Sequence, residues 1–221
     1  KRQYLSGLSI EDLELILHPM AEEGKEASGS MGDDTPVAVL SSHYRPVSHY
    51  FRQNFSQVTN PPIDSLRENK VMSLKTRFGN LGNILNFDNL TEENIYVLDS
   101  PILTNSQFNK FKKFFSKKIK VIDCTFDISL SLKDRMEAIR EETETAVREG
   151  STTLILSDKN ISNQKASIPS ILTVGAVHSH LVKQGLRGYC SLNVECSDAL
   201  DTHSFAVLIG VGATTVNPYL A

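Results

Sequence analysis

The stretch AVREGSTTLILSD (residues 146–158) decides the fold of this chain, together with LVKQGLRGYCSLNVE (181–195) and VLIGVGATTVNPYLA (207–221). Each reads as a helix end, a glycine, a short turn and an apolar, β-branched strand. The glycines are Gly150, Gly185 and Gly212. Helical segments join the successive strands, near 153–157, 190–195 and 214–217. Such connections predict a parallel sheet with right-handed crossovers.

The sequence before these segments, from residue 95 onward, also alternates between predicted strands and predicted helices. IYVL (95–98) predicts a short strand, and Thr104 with Gln107 three residues later predicts a capped helix. KIKVIDC (118–124) predicts a strand, and a long helix is expected after Ser131. The fold class is therefore α/β, with a mostly parallel sheet and helical crossovers over residues 86–221. A doubly wound sheet and a partial (β/α) barrel both fit, but too few units are present to close eight strands, so we expect an open or incomplete barrel.

The sequence predicts a single domain over residues 1–221. Residues 1–85 are predicted to form its first portion, which is rich in helices and otherwise irregular. Ser9 with Asp12 predicts a helix start, and His18-Pro19 is expected to interrupt or kink that helix. Asp64 is expected to cap a second helix that ends at Gly79. The chain does not begin with Met and its final strand has no helix after it, so we expect a piece of a longer protein.

Composition excludes several classes of function. With 23 basic and 26 acidic residues the net charge is −3, so no global field draws the chain to nucleic acid. The lysine run NKFKKFFSKKIK (109–120) is interpreted as the solvated face of a helix. Since no apolar run approaches the roughly 20 residues of a membrane span, we expect no membrane association. Three cysteines without metal-ligand spacing predict buried, reduced thiols and a cytoplasmic or plastid location.

Acidic residues follow the predicted strands and are the candidates for chemistry: Asp99, Asp123, Asp158 and Glu195. Carboxylates at the carboxyl ends of parallel strands can hold a divalent cation, but they are also ordinary helix caps and loop residues. His178 and His180 lie two apart on a predicted helix and point away from each other, so we expect packing or capping roles. These carboxylates define one hypothesis, a free-standing α/β barrel-like enzyme or ligand-binding domain.

The segment FRQNFSQVTNPPID (51–64) resembles neither an apolar core nor a charged surface. It carries no charge between Arg52 and Asp64, and Pro61-Pro62 hold the backbone extended. Its amide and hydroxyl side chains can satisfy an irregular buried loop. Alternatively, they can line a path for a small, polar, uncharged species, which charged groups would trap.

Several strings identify a family resemblance. FRQNFSQVTNPPIDSLRE (51–68), VMSLKTRFGNLGNIL (71–85), IPSILTVGAVHSHLV (168–182) and GVGATTVNPYLA (210–221) closely resemble the central domain of the glutamate synthase large subunit. The resemblance implies an iron–sulfur flavoprotein in which an amidotransferase domain hydrolyses glutamine. The ammonia then passes through a tunnel to an FMN-binding domain, adds to 2-oxoglutarate and is reduced with it to glutamate, with a 3Fe-4S cluster relaying electrons.

The resemblance also implies roles for parts of this chain. The central domain would link the amidotransferase and FMN-binding domains and help to form the tunnel, with Ser56, Gln57, Thr59 and Asn60 nearest the ammonia path. FMN and the 3Fe-4S cluster would lie elsewhere in the parent enzyme, leaving this chain without catalytic, cofactor or metal residues. A small electron-donating subunit or ferredoxin would be a partner, and Tyr219 with the final strand would pack on the flavin domain.

Overall fold

The structure, a computed structural model, describes residues 1–26, 36, 38–42, 44–52, 54–55, 58, 62–79, 85 and 95–221. The chain divides into two compact units. The larger unit contains Lys1–Asn54 and Ile102–Ala221, and the smaller unit contains Phe55–Pro101. The division proposed from the sequence at residue 85 stays a prediction.

Three short helices open the larger unit: α1 (Arg2–Leu5), α2 (Ile10–Asp12) and α3 (His18–Glu23). The predicted cap is present, because Ser9 Oγ accepts the Asp12 N–H at 3.1 Å and the Asp12 carboxylate accepts the Ser9 N–H at 2.8 Å. The expected interruption is a π-helical turn, Leu13–Leu17, directly ahead of Pro19. Proline has no N–H and its ring displaces the preceding carbonyl, so a regular α-helical ladder cannot run through it.

The smaller unit contains α4 (Ser65–Val71) and an antiparallel pair of strands, β1 (Thr76–Phe78) and β2 (Tyr96–Leu98). Asp64 caps α4 by accepting the N–H groups of Leu66 and Arg67 at 3.1 and 3.0 Å. The strand predicted in IYVL is confirmed. The helix predicted to continue to Gly79 is wrong, because residues 76–78 pair with a strand distant in sequence. Such tertiary pairing outweighs weak local helix propensity.

A four-stranded parallel sheet with its crossover helices forms the core of the larger unit. Its remaining elements are α5 (Asn105–Phe114), β3 (Ile119–Asp123), β4 (Thr125–Asp127), α6 (Leu132–Arg148), β5 (Thr153–Ser157), β6 (Lys165–Ser167), α7 (Ser170–Lys183), β7 (Ser191–Cys196), α8 (Thr202–Gly210) and β8 (Thr215–Pro218). The sheet order is β3-β5-β7-β8, all parallel, and β4 pairs with β6 outside it. Consecutive strands are neighbours, as in a (β/α) barrel, but the sheet does not close. The predicted open α/β fold is confirmed.

The two faces of this sheet differ in chemistry. One face, here called the helix-covered face, packs against α6, α7 and α8; its strand side chains are Ile122, Leu154, Leu156, Leu192, Val194, Cys196 and Val216. The opposite face is here called the polar face. Because side chains alternate along a strand, it carries Ser157, Asn193, Glu195, Thr215 and Asn217, together with the apolar Val121 and Ile155. Asn193 Oδ1 accepts the Thr215 hydroxyl at 2.7 Å across this face.

The final strand is covered within the chain. Thr215, Val216 and Asn217 are at most 1% exposed. Leu103 N–H donates to the Val216 carbonyl at 2.8 Å, and Asn217 Nδ2 donates to the Leu103 carbonyl at 2.9 Å. Tyr219 is 8% exposed. The expectation that this strand lies uncovered is wrong, because the segment before α5 already covers it. The expectation that Tyr219 and this strand pack on another domain stays a prediction.

Positive-φ glycines end α6, α7 and α8 as predicted. Gly212, after α8, has φ 124°, and a Cβ there would lie 2.4 Å from His178 Nδ1. Arg187 holds this corner together: its Nε donates to His178 Nδ1 at 3.1 Å and its Nη2 donates to the Gly212 carbonyl at 2.9 Å. Within the described ranges, no helix has the length and apolar character that crossing a bilayer requires.

Candidate functional site

The predicted path-lining residues Ser56, Gln57, Thr59 and Asn60 lie outside the described residues. Their proposed role therefore stays a prediction. The chain just before them is described: residues 44–50, here called the strap, contain the 3₁₀ turn Val47–Tyr50. Buried Ser48 accepts a hydrogen bond from His203 Nε2 at 2.9 Å through its carbonyl. His203 lies in the first turn of α8, so the strap is fixed at the carboxyl end of the parallel sheet.

A cleft of about 570 Å³ lies beside the strap. The first residues of the chain form one side, and the loop between β7 and α8 forms another. Its polar lining includes Arg45, His49, Asp198 and Asp201. The Asp198 carboxylate is already engaged, because it accepts the Ser170 N–H at 2.9 Å and the Ser170 hydroxyl at 2.6 Å. The cleft has the size and position of a small-molecule site in an α/β fold.

Glu195 is bonded by three neighbouring side chains. It is 4% exposed at the end of β7. Lys112 and Lys159 donate to Oε1 at 3.0 and 2.7 Å, and the Ser157 hydroxyl donates to Oε2 at 2.7 Å. Burial alone would raise the pKa of Glu195, but these hydrogen bonds outweigh burial and lower it. Its carboxylate is thus a satisfied anion inside the chain.

Asp158 and Asp123 are held separately. Asp158 Oδ2 accepts the Ser197 N–H at 2.9 Å and the Ser197 hydroxyl at 2.6 Å. Asp123 accepts the Thr125 hydroxyl at 2.7 Å and Asn160 Nδ2 at 3.0 Å. Burial raises the pKa of Asp158, whereas in Asp123 the hydrogen bonds outweigh burial and lower the pKa. Each carboxylate therefore stabilises its own strand end.

The predicted acidic residues do not form a common ligand set. Asp99 belongs to the smaller unit. In the part of the chain that the structure describes, no three His, Cys, Asp or Glu side chains come together closely enough to hold a metal ion. The structure thus gives no support to the hypothesis of a free-standing enzyme that acts through these four residues.

Helix α5 supplies a contact that the sequence analysis missed. Its Phe108 and Phe111 are buried, and Lys112 reaches Glu195 on the polar face. The prediction of a solvated lysine face holds for exposed Lys110 and Lys113 and is wrong for Lys112. Because α5 lies over the face that would line the interior of a closed barrel, that interior is occupied by the chain itself. A signal was available, since Lys112 follows Phe108 at i+4 on the same side of the helix.

A family model of the glutamate synthase central domain matches residues 1–221. The chain belongs to the glutamate synthase central domain family. It is 57% identical to the "Glutamate synthase [NADPH] large chain" of Azospirillum brasilense, 42% to that of Bacillus subtilis, and 40% to "Ferredoxin-dependent glutamate synthase, chloroplastic" of Spinacia oleracea. Each match covers 100% of this chain and 14–15% of the relative, so the chain spans about one seventh of the length of these relatives.

The cysteines of this central domain do not fit a 3Fe-4S cluster. Cys190 directly precedes β7 and Cys196 ends it, so the two lie about 20 Å apart at roughly 3.3 Å per residue. All three cysteines are buried, and burial raises the pKa of each thiol, which opposes the thiolate form that binds iron.

The starts of α7 and α8, at the carboxyl end of the sheet, do not fit the FMN phosphate. A phosphate binds the free N–H groups at the amino end of a helix. At α7 the Asp198 carboxylate takes the Ser170 N–H, and at α8 the Asp201 carboxylate takes the Ser204 N–H at 2.8 Å. Carboxylates thus occupy the positions where a phosphate would bind.

The two histidines of α7 have the packing roles that their spacing predicts. His178 Nδ1 accepts a hydrogen bond from Arg187, and His180 Nε2 lies 2.7 Å from Glu144 Oε2 on α6. They contact different elements and do not chelate together. His180 therefore ties α7 to α6, and His178 ties α7 to the corner after α8.

Proposed function

We propose that this chain is the connecting domain of a glutamate synthase, between an amidotransferase domain and an FMN-binding domain. The parent enzyme transfers the amide nitrogen of glutamine to 2-oxoglutarate and reduces the product to glutamate. The observation that carries the proposal is the 57% identity, over the whole chain, to a glutamate synthase large chain. FMN and the 3Fe-4S cluster belong to other parts of that enzyme.

The proposed contribution of this chain is part of the ammonia path. Ser56, Gln57, Thr59 and Asn60 offer amides and hydroxyls without charge, and Pro61-Pro62 keep the backbone extended. Such groups exchange hydrogen bonds with neutral ammonia but do not trap it as an ion pair. The strap supports this proposal, because the His203 bond to Ser48 fixes the chain a few residues before the segment.

The internal bonding of the sheet ends supports a connecting role over catalysis within this chain. Glu195 and Asp123 have their carboxylates engaged by neighbouring side chains. These carboxylates stand at the carboxyl ends of their strands, where a barrel enzyme would place its substrate. These carboxylates could bind a substrate only after their present contacts with neighbouring side chains were broken.

We propose that the parent enzyme receives its electrons from a small subunit or from ferredoxin. Relatives at 40–42% identity include NADPH-, ferredoxin- and NADH-named enzymes, so this region is shared among donor types. The donor contact is accordingly proposed to lie outside this chain. Neither nucleic acid nor a membrane is proposed as a partner, and a cytoplasmic or plastid location is proposed from the resemblance.

The test uses the full-length enzyme with Thr59→Phe or Asn60→Phe. We expect glutamine hydrolysis to continue while the glutamate formed per glutamine hydrolysed falls, because a bulky apolar ring blocks the path. Synthesis from added ammonium should persist, which shows that the flavin site is intact. Ser116→Phe, at an exposed position after α5, is the matched control and should keep the two activities coupled. Full coupling in the Thr59 and Asn60 variants would remove the path from this segment.

A further inference from the structure

A hydrogen bond between residues 155 apart in the chain ties the strap to helix α8. His203 Nε2 lies 2.9 Å from the Ser48 carbonyl oxygen. Because a carbonyl oxygen only accepts, the His203 ring carries a proton on Nε2 and donates it. Ser48 is 3% exposed, so its carbonyl has little access to water. The bond therefore joins α8 to a point of the strap that lies inside the protein.

The Ser48 carbonyl also closes the 3₁₀ turn of the strap. It accepts the Phe51 N–H at 3.0 Å, and the Pro46 carbonyl accepts the His49 N–H at 3.0 Å. A carbonyl oxygen has two lone pairs, so the bonds from His203 and Phe51 use both of them. His203 thus donates to the same atom that holds the end of the turn.

Apolar contacts also hold the strap, but they do not set its orientation. Val47 packs against the core of the larger unit. The Tyr44 ring lies close to the first residues of the chain, since a Cβ on Gly7 would be 3.6 Å from Tyr44 Cδ1. Apolar packing is non-directional and lets a turn rotate, whereas a hydrogen bond depends on angle as well as distance. The bond from His203 therefore fixes the direction in which the strap lies.

The donor itself is held by its own helix. His203 is the second residue of α8, and the Asp201 carboxylate caps that helix by accepting the Ser204 N–H at 2.8 Å. Buried Leu208 packs the same helix into the core. A capped and packed first turn does not depend on the strap for its position. His203 is thus the fixed partner of the pair, and the strap is the part that it positions.

The chain leads from the strap into the segment proposed to line the ammonia path, because only five residues separate Tyr50 from Ser56. We propose that His203 is a positioning residue that keeps glutamine hydrolysis coupled to glutamate synthesis by holding the strap in place. This inference rests on the function proposed above. A strap released from His203 turns about its apolar contacts and shifts the start of the segment that follows it. A displaced wall lets ammonia escape before it reaches the flavin site.

The experiment compares two substitutions of His203 in the full-length enzyme. His203→Leu removes the donor, whereas His203→Gln keeps an N–H donor at the end of the side chain. In His203→Leu we expect less glutamate per glutamine hydrolysed, with the KM for glutamine and the synthesis from added ammonium unchanged. His203→Gln should keep the ratio close to that of the parent. His18→Leu, at a histidine whose side chain is 67% exposed, is the control and should match the parent.

Hydrogen exchange of the same variants tests the bond itself. The amides of His49 and Phe51 close the turn of the strap. In His203→Leu they should exchange about three- to tenfold faster, as expected when one supporting hydrogen bond is lost. In His203→Gln their exchange should stay close to the parent rate.

Three results would overturn the inference: unchanged exchange in His203→Leu, faster exchange with an unchanged ratio, or equal losses in His203→Leu and His203→Gln. The Thr59→Phe and Asn60→Phe test fails separately. If those two variants stay coupled while His203→Leu loses coupling, their segment does not line the path, and the positioning role of His203 stands. If they lose coupling and His203→Leu does not, the path stands and the positioning role falls.

Discussion

The two faces of the parallel sheet use the same strands but are stabilised by different interactions. On the helix-covered face, side chains such as Leu154, Leu192 and Val216 pack against three helices and have no hydrogen-bonding needs. On the polar face, Asn193 bonds Thr215, and Glu195 bonds Ser157 and two lysines. Apolar packing tolerates exchange among side chains of similar volume, whereas each polar contact requires a particular partner.

The different stabilisation of the two faces explains how this sheet folds without closing into a barrel. Strands β5 and β7 are buried on both faces. Helices α6, α7 and α8 cover one side, and α5 reaches the other through the Lys112 bond to Glu195 and the bond that Asn217 donates to Asn105 Oδ1. The polar face thus accommodates a helix in the position where a closed barrel would place further strands.

The largest expected effect is on the helix side, at Gly212. In Gly212→Ala the new Cβ would lie 2.4 Å from His178 Nδ1, and φ of 124° strains any side chain. We expect the free energy of unfolding in urea to fall by about 4 kcal/mol, from backbone strain and overpacking together.

Gly150→Ala is the matched control for that substitution. Gly150 also has positive φ, but nothing lies within 4 Å of its added Cβ. Only the backbone cost of about 1 kcal/mol should remain. Equal losses in the two variants would show that the contact with His178 does not determine the cost.

Leu192→Ala tests the apolar packing of the helix-covered face itself. Leu192 is fully buried in β7, and its truncation should lower the free energy of unfolding by about 3 kcal/mol. Leu172→Ala removes the same atoms from a half-exposed position on α7 and should cost about 0.5 kcal/mol. A small loss at Leu192 would mean that the helices can close over the gap.

Thr215→Val tests the polar face with almost no change of volume. The variant leaves Asn193 Oδ1 without its 2.7 Å hydrogen bond in a fully buried position. We expect a loss of about 2 kcal/mol in the free energy of unfolding. Thr145→Val, exposed on α6, should change it by less than about 0.5 kcal/mol. If the two valine variants match, the polar face does not depend on this bond.

The sequence predicted the helix-covered side better than the polar side. Local signals define the strands, the helix caps at Thr104 and Ser131 and the glycine ends, because apolar periodicity and capping act within a few residues. The position of Glu195 at a strand end was also predictable. The spacing from Phe108 places Lys112 on the buried side of α5, but its pairing with Glu195 was not predictable, because the two residues are 83 apart in the chain.

Long-range pairing also explains the error in the smaller unit. A helix was predicted through residues 76–78, but Thr76 pairs with Leu98 and Phe78 with Tyr96. No local signal specifies such a partner. At the candidate site, the bonds that separate Asp123, Asp158 and Glu195 come from neighbouring loops and helices, so the sequence located these carboxylates without revealing that each has its own partners.

Glu195→Gln gives the smallest expected effect and tests whether charge matters on the polar face. At neutral pH the variant keeps the shape but weakens the bonds from Lys112 and Lys159, and we expect a loss of about 1 kcal/mol in the free energy of unfolding.

The lowered pKa of Glu195 sets the pH dependence. Its ionised form stabilises the fold fully above the ordinary glutamate value of 4.5, and this contribution disappears as the pH falls through the lower value of the folded state. The two proteins should therefore differ at pH 7 and converge as the pH drops below 4.5. The control Glu141→Gln, at an exposed position on α6, should stay within about 0.5 kcal/mol of the parent at pH 7. If the free energy of unfolding of Glu195→Gln differed from that of the parent by the same amount across this range, the charge of Glu195 would not contribute. The polar face would then be stabilised by shape and neutral hydrogen bonds, and it would resemble the helix-covered face in not depending on charge.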